Sequence, residues 1–117
     1  MNKRYKGPFK NQKQHKTGEM NKTEKLYSEL LQKAVMTGEV ERWEFEKIKF
    51  KLGKAVYYLP DFYVVYADHI EMHEVKGAFI TDKGMIKFKT AAELFPEFRW
   101  KLMQYKAKTG WNVLRDI

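Results

Sequence analysis

Asp61, in Tyr58-Leu59-Pro60-Asp61-Phe62, and the run Glu74-Val75-Lys76 hold the residue types that can do chemistry together. Side chains alternate faces along a strand, so Glu74 and Lys76 would project to one side and Val75 to the other, with the carboxylate and ammonium about 7 Å apart. A hairpin centred between Ala67 and Asp68 would set Asp61 directly opposite Glu74, on the same face. Two carboxylates so placed repel each other, and a divalent cation between them would relieve the repulsion. Oxygen ligands in a chain without cysteine favour Mg²⁺, with Mn²⁺ as a substitute, over zinc or copper. Such an ion polarises a phosphoryl oxygen and acidifies water, while a neighbouring lysine orients that water or stabilises charge on the phosphate. The chemistry is phosphodiester hydrolysis. An acid, any residue, then lysine occurs once in the chain. The simpler alternative is a cross-strand ion pair on an exposed sheet face, worth little energetically.

These residues need a scaffold. Asn21 or a neighbour can cap a helix whose apolar positions are Leu26, Leu30, Leu31, Ala34 and Val35 and which Gly38 is placed to stop. Residues 40–50 read as β-like, with a slip in alternation around Glu46 that predicts a bend or bulge. Gly53-Lys54 reads as a turn; residues 55–58, 61–66 and 70–75 read as strands, with Pro60 at the entry to the second. Gly77 and an Asp82-Lys83-Gly84 turn are expected to bound a mobile loop ahead of a helix over 86–95, which Pro96 ends. Residues 98–105 and 111–117 complete the reading as strands joined at Thr109-Gly110. The expected fold class is α/β, one mixed central sheet flanked by helices.

The 117 residues carry a formal charge of +8, and 44% of them are hydrophobic, enough to build a single core without disulfides. Charge and pI point to a polyanionic partner. The charge is uneven: Lys3, Arg4, Lys6, Lys10, Lys13, Lys16 and Lys22 face one acid, Glu19, over the first 22 residues. Residues 1–16 are therefore read as a flexible basic arm, serving either to track phosphates or merely to solubilise, and 17–117 as the folded domain. No apolar run suits a membrane span or a secretory signal, so a cytoplasmic protein is expected.

Pro60-Asp61 followed by Glu74-Val75-Lys76 resembles the signature of the PD-(D/E)XK nuclease superfamily, whose restriction-endonuclease-like core runs αβββαβ. Asn21-Lys22-Thr23-Glu24, Gly38-Glu39-Val40, Pro60-Asp61-Phe62, Glu74-Val75-Lys76-Gly77 and Ala91-Ala92-Glu93-Leu94-Phe95-Pro96 are similar to small phage-encoded endonucleases of that superfamily, which would place the protein in a host cytoplasm. The resemblance covers residues 19–117. It implies that Asp61, Glu74 and Glu24 serve as metal ligands, that Lys76 assists the attacking water, and that cleavage leaves a 3′-hydroxyl and a 5′-phosphate. Glu24 also suits the first turn of its helix, where a carboxylate complements the dipole; Tyr27 and Leu31 tie that face to the core, and Glu19 is the rival if the helix starts earlier.

Lys83, Lys87 and Lys89 flank the loop and second helix, and any of them is a candidate contact to the phosphate beside the cut, as are Lys13 and Lys16 on the arm. On a regular helix Lys87 and Lys89 lie about 200° apart and cannot share a face. His69 and His73 fall on the strand face opposite Glu74 and are expected to be structural or exposed. Trp43, Trp100, Trp111, Tyr57, Tyr58, Tyr63 and Tyr105 read as packing aromatics, with an exposed minority able to stack on bases. The expected function is a Mg²⁺-dependent DNA endonuclease, structure-selective or weakly sequence-specific. Two alternatives stay open: a Holliday-junction or branched-DNA resolvase acting as a homodimer, and a basic nucleic-acid-binding module that does not cut.

Overall fold

Helix α1 (Lys22–Met36) starts where a complete capping box forms: Glu24 N–H donates to Asn21 Oδ1 at 2.8 Å, and Asn21 N–H donates to Glu24 Oε1 at 2.9 Å. Gly38, at φ 87°, lets the chain leave the helix in a left-handed conformation. This computed structural model describes residues 18–117, so the expected arm over 1–16 and its Lys13 and Lys16 lie outside the described residues. The face of α1 that turns inward carries Tyr27 and Leu31, with Ala34 and Val35 beside them; Leu26 and Leu30, expected on that face, are exposed.

Five strands follow: β1 (Arg42–Phe45), β2 (Phe50–Gly53), β3 (Val56–Tyr58), β4 (Phe62–Val65) and β5 (Ile70–Lys76). The β-like stretch over 40–50 breaks at Glu46, which adopts φ 50° while its N–H donates to Asp61 O at 2.8 Å. The break lets the chain leave the main sheet, and β2 and β3 form a separate two-stranded hairpin closed at Lys54–Ala55, with Ala55 at φ 59°. A single sheet was expected; the two-sheet outcome follows from the turn at Glu46. Helix α2 (Asp82–Leu94) precedes β6 (Arg99–Lys106) and β7 (Gly110–Asp116).

Helix α2 begins four residues before the expected start at 86, and Asp82-Lys83-Gly84 is its first turn rather than a turn bounding a loop. Thr81 is the cap, its hydroxyl oxygen accepting from Gly84 N–H at 3.1 Å. Asp82 complements the helix dipole there, and a glycine costs little in a first turn that the cap already fixes.

The main sheet has the order β1-β4-β5-β6-β7, with β5 and β6 parallel and the other neighbours antiparallel. The β4–β5 register pairs Phe62 with His73 and Tyr63 with Met72, which is the hairpin centred between Ala67 and Asp68 that the sequence predicts. α1 covers one face through Tyr27, Leu31, Phe62, Val64, Val75 and Met103. α2 and the β2–β3 hairpin cover the other through Phe50, Met72, Phe88, Ala91, Trp100 and Leu102. Because both faces are covered, β5 is buried continuously from Glu71 to Val75 rather than alternately. Three charged or titratable β5 side chains, Glu71, His73 and Glu74, are therefore shielded from water and need partners. Among the described residues, no helix is long and apolar enough to cross a membrane.

Candidate active site

The end of β5, the entry to β4 and the first turn of α1 open onto a cleft of about 400 Å³ lined by Glu24, Glu46, Asp61, Glu74 and Lys76, among others. Each wall has a local reason. Glu24 is held at the helix start by the capping box and is buried. Asp61 precedes β4, and its Oδ2 accepts from Val75 N–H at 2.8 Å, so its carboxylate reaches across to the β5 backbone beside Glu74. Glu74 and Lys76 share a face, with Lys76 Nζ 3.1 Å from Glu74 Oε2. The other Glu74 oxygen, Oε1, accepts from the Tyr58 hydroxyl at 2.7 Å.

Gly84 is where α2 passes close to this ion pair. A Cβ there would stand 3.2 Å from Thr81 Oγ1 and 3.7 Å from Lys76 Nζ, so a larger residue would crowd both the cap and the lysine.

Among the described residues, acids outnumber bases in the site. Asp61 and Glu74 are each only 7% exposed. Burial, then the charges of Glu74 and Glu24, push the Asp61 carboxyl well above the usual range, against the opposing pull of the Val75 N–H and Lys76. Burial raises Glu74 as well, with Lys76 and Tyr58 holding it back. Burial works against the Lys76 charge, but Glu74, Asp61 and Glu24 outweigh it and keep the ammonium above the ordinary lysine value. Among the described residues that line the cleft, Lys76 is the single basic side chain.

Among the described residues, no three His, Asp or Glu side chains stand as a ready-made metal-ligand cluster. The donor set nonetheless fits Mg²⁺, which is commonly held by one or two carboxylates with water and substrate phosphate completing its shell. Asp61 and Glu74 supply such a pair, with Glu24 lining the same cleft. Each carboxylate oxygen that already accepts one hydrogen bond keeps a further lone pair.

A raised carboxyl pKa means that stability is present below the ordinary range, near pH 4, and is lost as pH rises through the higher folded value. Cation binding offsets that loss. Mg²⁺ is therefore expected to raise the melting temperature relative to EDTA by more at pH 8 than at pH 5, read by thermal melts at both pH values; a shift equal at the two would count against the Asp61–Glu74 pair as the site.

The sequence-derived residues divide clearly. Glu24, Asp61, Glu74 and Lys76 come together; Glu19, the rival to Glu24, is exposed ahead of the helix. Lys83 and Lys89 are exposed on α2. Lys87 donates to the Tyr57 carbonyl at 3.0 Å, fastening α2 to the β2–β3 hairpin.

Three features escaped the sequence reading. Glu46 lines the cleft, where its Oε1 accepts from Gly18 N–H at 2.7 Å; the slip in alternation marked its backbone but not its side chain. Tyr58 was read as a packing aromatic, yet it also fixes Glu74, and its place three residues before Asp61 was the available signal. Glu71 was not singled out, although its spacing put it on the same face as His69 and His73. Those two histidines are on the face opposite Glu74, as expected: His73 is buried against Tyr27 and Glu71, and His69 bridges Asp68 and Glu71. A second cavity of about 360 Å³ lies there, lined by Tyr27, Val40, Tyr66, His73 and Lys101 and by a single acid, Glu39, so it lacks the paired carboxylates of the first.

No family model and no curated protein matches the chain. Among solved structures it is similar to Hjc of Archaeoglobus fulgidus, a Holliday junction resolvase from an archaeal hyperthermophile, with a TM-score of 0.53 and 13% identity, covering 80% of this chain and 71% of that one. The likeness is one of fold: a mixed α/β, restriction-endonuclease-like core in which α1, β1, β4, β5, α2 and β6 supply the αβββαβ order.

Proposed function

We propose that the chain is a divalent-metal-dependent DNA endonuclease acting on branched DNA. The observation that carries the reading is the cleft in which Glu24, Asp61, Glu74 and Lys76 meet on this fold. Asp61 and Glu74, with Glu24 beside them, would hold Mg²⁺ or Mn²⁺. The ion would supply Lewis acidity toward a phosphoryl oxygen and lower the pKa of water.

The chain's own groups do the rest. Tyr58 fixes one Glu74 oxygen and Lys76 the other, so the carboxylate is oriented before substrate arrives. Lys76 stays protonated, held by three carboxylates. Its ammonium orients the attacking water and offsets the negative charge that grows on the phosphate. Lys83 and Lys89 on α2, and Lys13 and Lys16 on the arm, are the proposed flanking phosphate contacts.

The fold likeness to a Holliday junction resolvase favours branched DNA over plain duplex as the substrate. A symmetric dimer would present two such clefts to two strands of one junction. The test is a panel of single-stranded, duplex, flap and four-way DNA incubated with Mg²⁺, Mn²⁺ or EDTA. Paired cuts in the four-way substrate with either metal and none in EDTA are expected. Equal cutting of plain duplex would return the reading to a less selective endonuclease, and binding without cutting in every metal would leave only a nucleic-acid-binding module.

A further inference from the structure

The β2–β3 hairpin sits outside the main sheet, and its composition is unlike the rest of the folded chain. From Lys47, just ahead of β2, to Tyr58 the chain carries Lys47, Lys49, Lys51 and Lys54 and no acid. The hairpin's two faces differ. Phe50 lies opposite Tyr58, both are buried, and with Leu52 they pack on the α2 side of the core. Lys51 lies opposite Tyr57 on the other face, and Lys49, two residues earlier in the chain, sets its ammonium over the Tyr57 ring at 5.5 Å from the centroid. Lys49 and Lys51 are exposed, and Tyr57 is 45% exposed. Lys87 of α2 holds the strand in place from behind through the Tyr57 carbonyl. The outer face is therefore a cationic ribbon with an aromatic ring beside Lys49.

Its position matters as much as its charge. Tyr58, the last residue of β3, donates to Glu74 in the cleft, and Asp61 follows three residues later, at most about 10 Å along the chain. The hairpin is thus continuous with the wall that holds the two carboxylates.

We propose that the outer face of the β2–β3 hairpin, through Lys49, Lys51 and Tyr57 with Lys54 at its tip, grips the phosphate backbone of the DNA next to the cleft. The proposal rests on the nuclease reading of that cleft. Among the described residues the cleft is lined by four carboxylates and one lysine, so a DNA backbone seated there gains from cationic attraction alongside it. The hairpin supplies it at the adjoining position. Lysines two apart on a ribbon project to one side about 7 Å from each other, and a two-stranded ribbon is narrow enough to enter the major groove of duplex DNA. The Tyr57 ring lies under the Lys49 ammonium and, being exposed, is placed to meet sugar or base. The solvated-surface reading leaves unexplained why a twelve-residue stretch beside an acid-rich cleft contains no acid.

The test is the full chain bound to a fluorescent four-way junction in EDTA, where cutting is suppressed, titrated at several salt concentrations. The K49A/K51A double variant is expected to bind roughly five- to tenfold more weakly near physiological salt and to lose up to about 1.8 log units of salt slope, at about 0.9 for each phosphate contact removed. K49R/K51R is expected to restore both, which a mere change in folding would not do. K33A, in the last turn of α1 on the opposite face of the sheet, serves as the control and is expected to bind as the unsubstituted chain does. Unchanged affinity and slope in K49A/K51A would overturn the hairpin proposal, and so would an equal loss in K33A. If the unsubstituted chain cuts the junction with Mg²⁺ in a parallel reaction, such a result spares the nuclease reading; if it binds but never cuts while the hairpin variant loses affinity, the hairpin stands and the nuclease reading falls.

Discussion

Asp61→Asn is expected to lower metal-dependent DNA cleavage by about 10³-fold or more while leaving the melting temperature in EDTA unchanged or higher. The substitution keeps the structural part of the side chain, because the amide oxygen can still accept from Val75 N–H in place of Oδ2. What it removes is a buried negative charge that burial, Glu74 and Glu24 already disfavour. Lys76→Ala should match the loss of cleavage but move stability the other way. It takes away the one positive side chain that lines the cleft among the described residues and leaves Glu74 and Asp61 with the Tyr58 hydroxyl and the Val75 N–H but no ammonium beside them, at a cost of about 1–3 kcal/mol. Two variants that abolish one reaction but shift the melt in opposite directions define a catalytic cleft rather than a structural ion pair. Retained cleavage in either purified variant would remove the assignment, and a sharp fall in the Asp61→Asn melt would show Asp61 to be structural.

The grouping of Asp61, Glu74 and Lys76 was legible in the sequence because a hairpin is a short-range object. Centring β4 and β5 on Ala67-Asp68 places Asp61 against Glu74, and strand alternation then puts Lys76 beside it; the observed register and the 3.1 Å ion pair follow from those two steps. Glu24 needed a third step, the helix start at Asn21, which the capping box fixes. The β2–β3 hairpin was not legible as a separate sheet. Its existence depends on the backbone of one residue, Glu46, turning to φ 50°, and hydrophobic alternation reports which side chains are buried rather than where a non-glycine residue takes a left-handed turn. The start of α2 was hidden for a related reason. Asp-Lys-Gly is a common turn sequence, and only Thr81 acting as a cap converts it into a first helical turn. Continuous burial of β5 was also out of reach, since alternation presumes one wet face and this strand has none.

Glu71 lies on the same strand and should prove the largest single support of stability away from the cleft, with Glu71→Ala costing about 3 kcal/mol in urea denaturation at pH 7. It is 6% exposed and accepts from His73 Nε2 at 2.8 Å and His69 Nε2 at 2.6 Å, with Lys101 Nζ at 3.7 Å. Burial holds His73 below the ordinary histidine value, so at neutral pH it donates from Nε2 and its Nδ1 accepts from the Tyr27 hydroxyl at 2.7 Å. Burial also keeps that hydroxyl protonated, the state the bond needs. Glu71 thereby ties α1 to β5 and to the β4–β5 turn, and its removal strands a buried His73 N–H. The sign of the pH dependence follows. Burial opposes the Glu71 charge, but the two histidines outweigh it and lower its pKa to about 2, so its contribution is complete above about pH 4.5 and is lost as pH falls toward 2. His73 acts in the same sense at higher pH, because a lowered histidine value gives stability that is complete above about 6.5 and is lost as pH falls from there toward the lower folded value. Glu71→Gln should therefore flatten the decline below pH 4.5 and leave the part due to His73. A loss under about 1 kcal/mol in Glu71→Ala, or an acid limb unaltered in Glu71→Gln, would remove the network from this role. Since Glu71 and Glu74 point to opposite faces of β5, folded Glu71→Gln protein should still cut DNA if the proposed function holds, which would separate the residues that hold the sheet together from those proposed to act on phosphate.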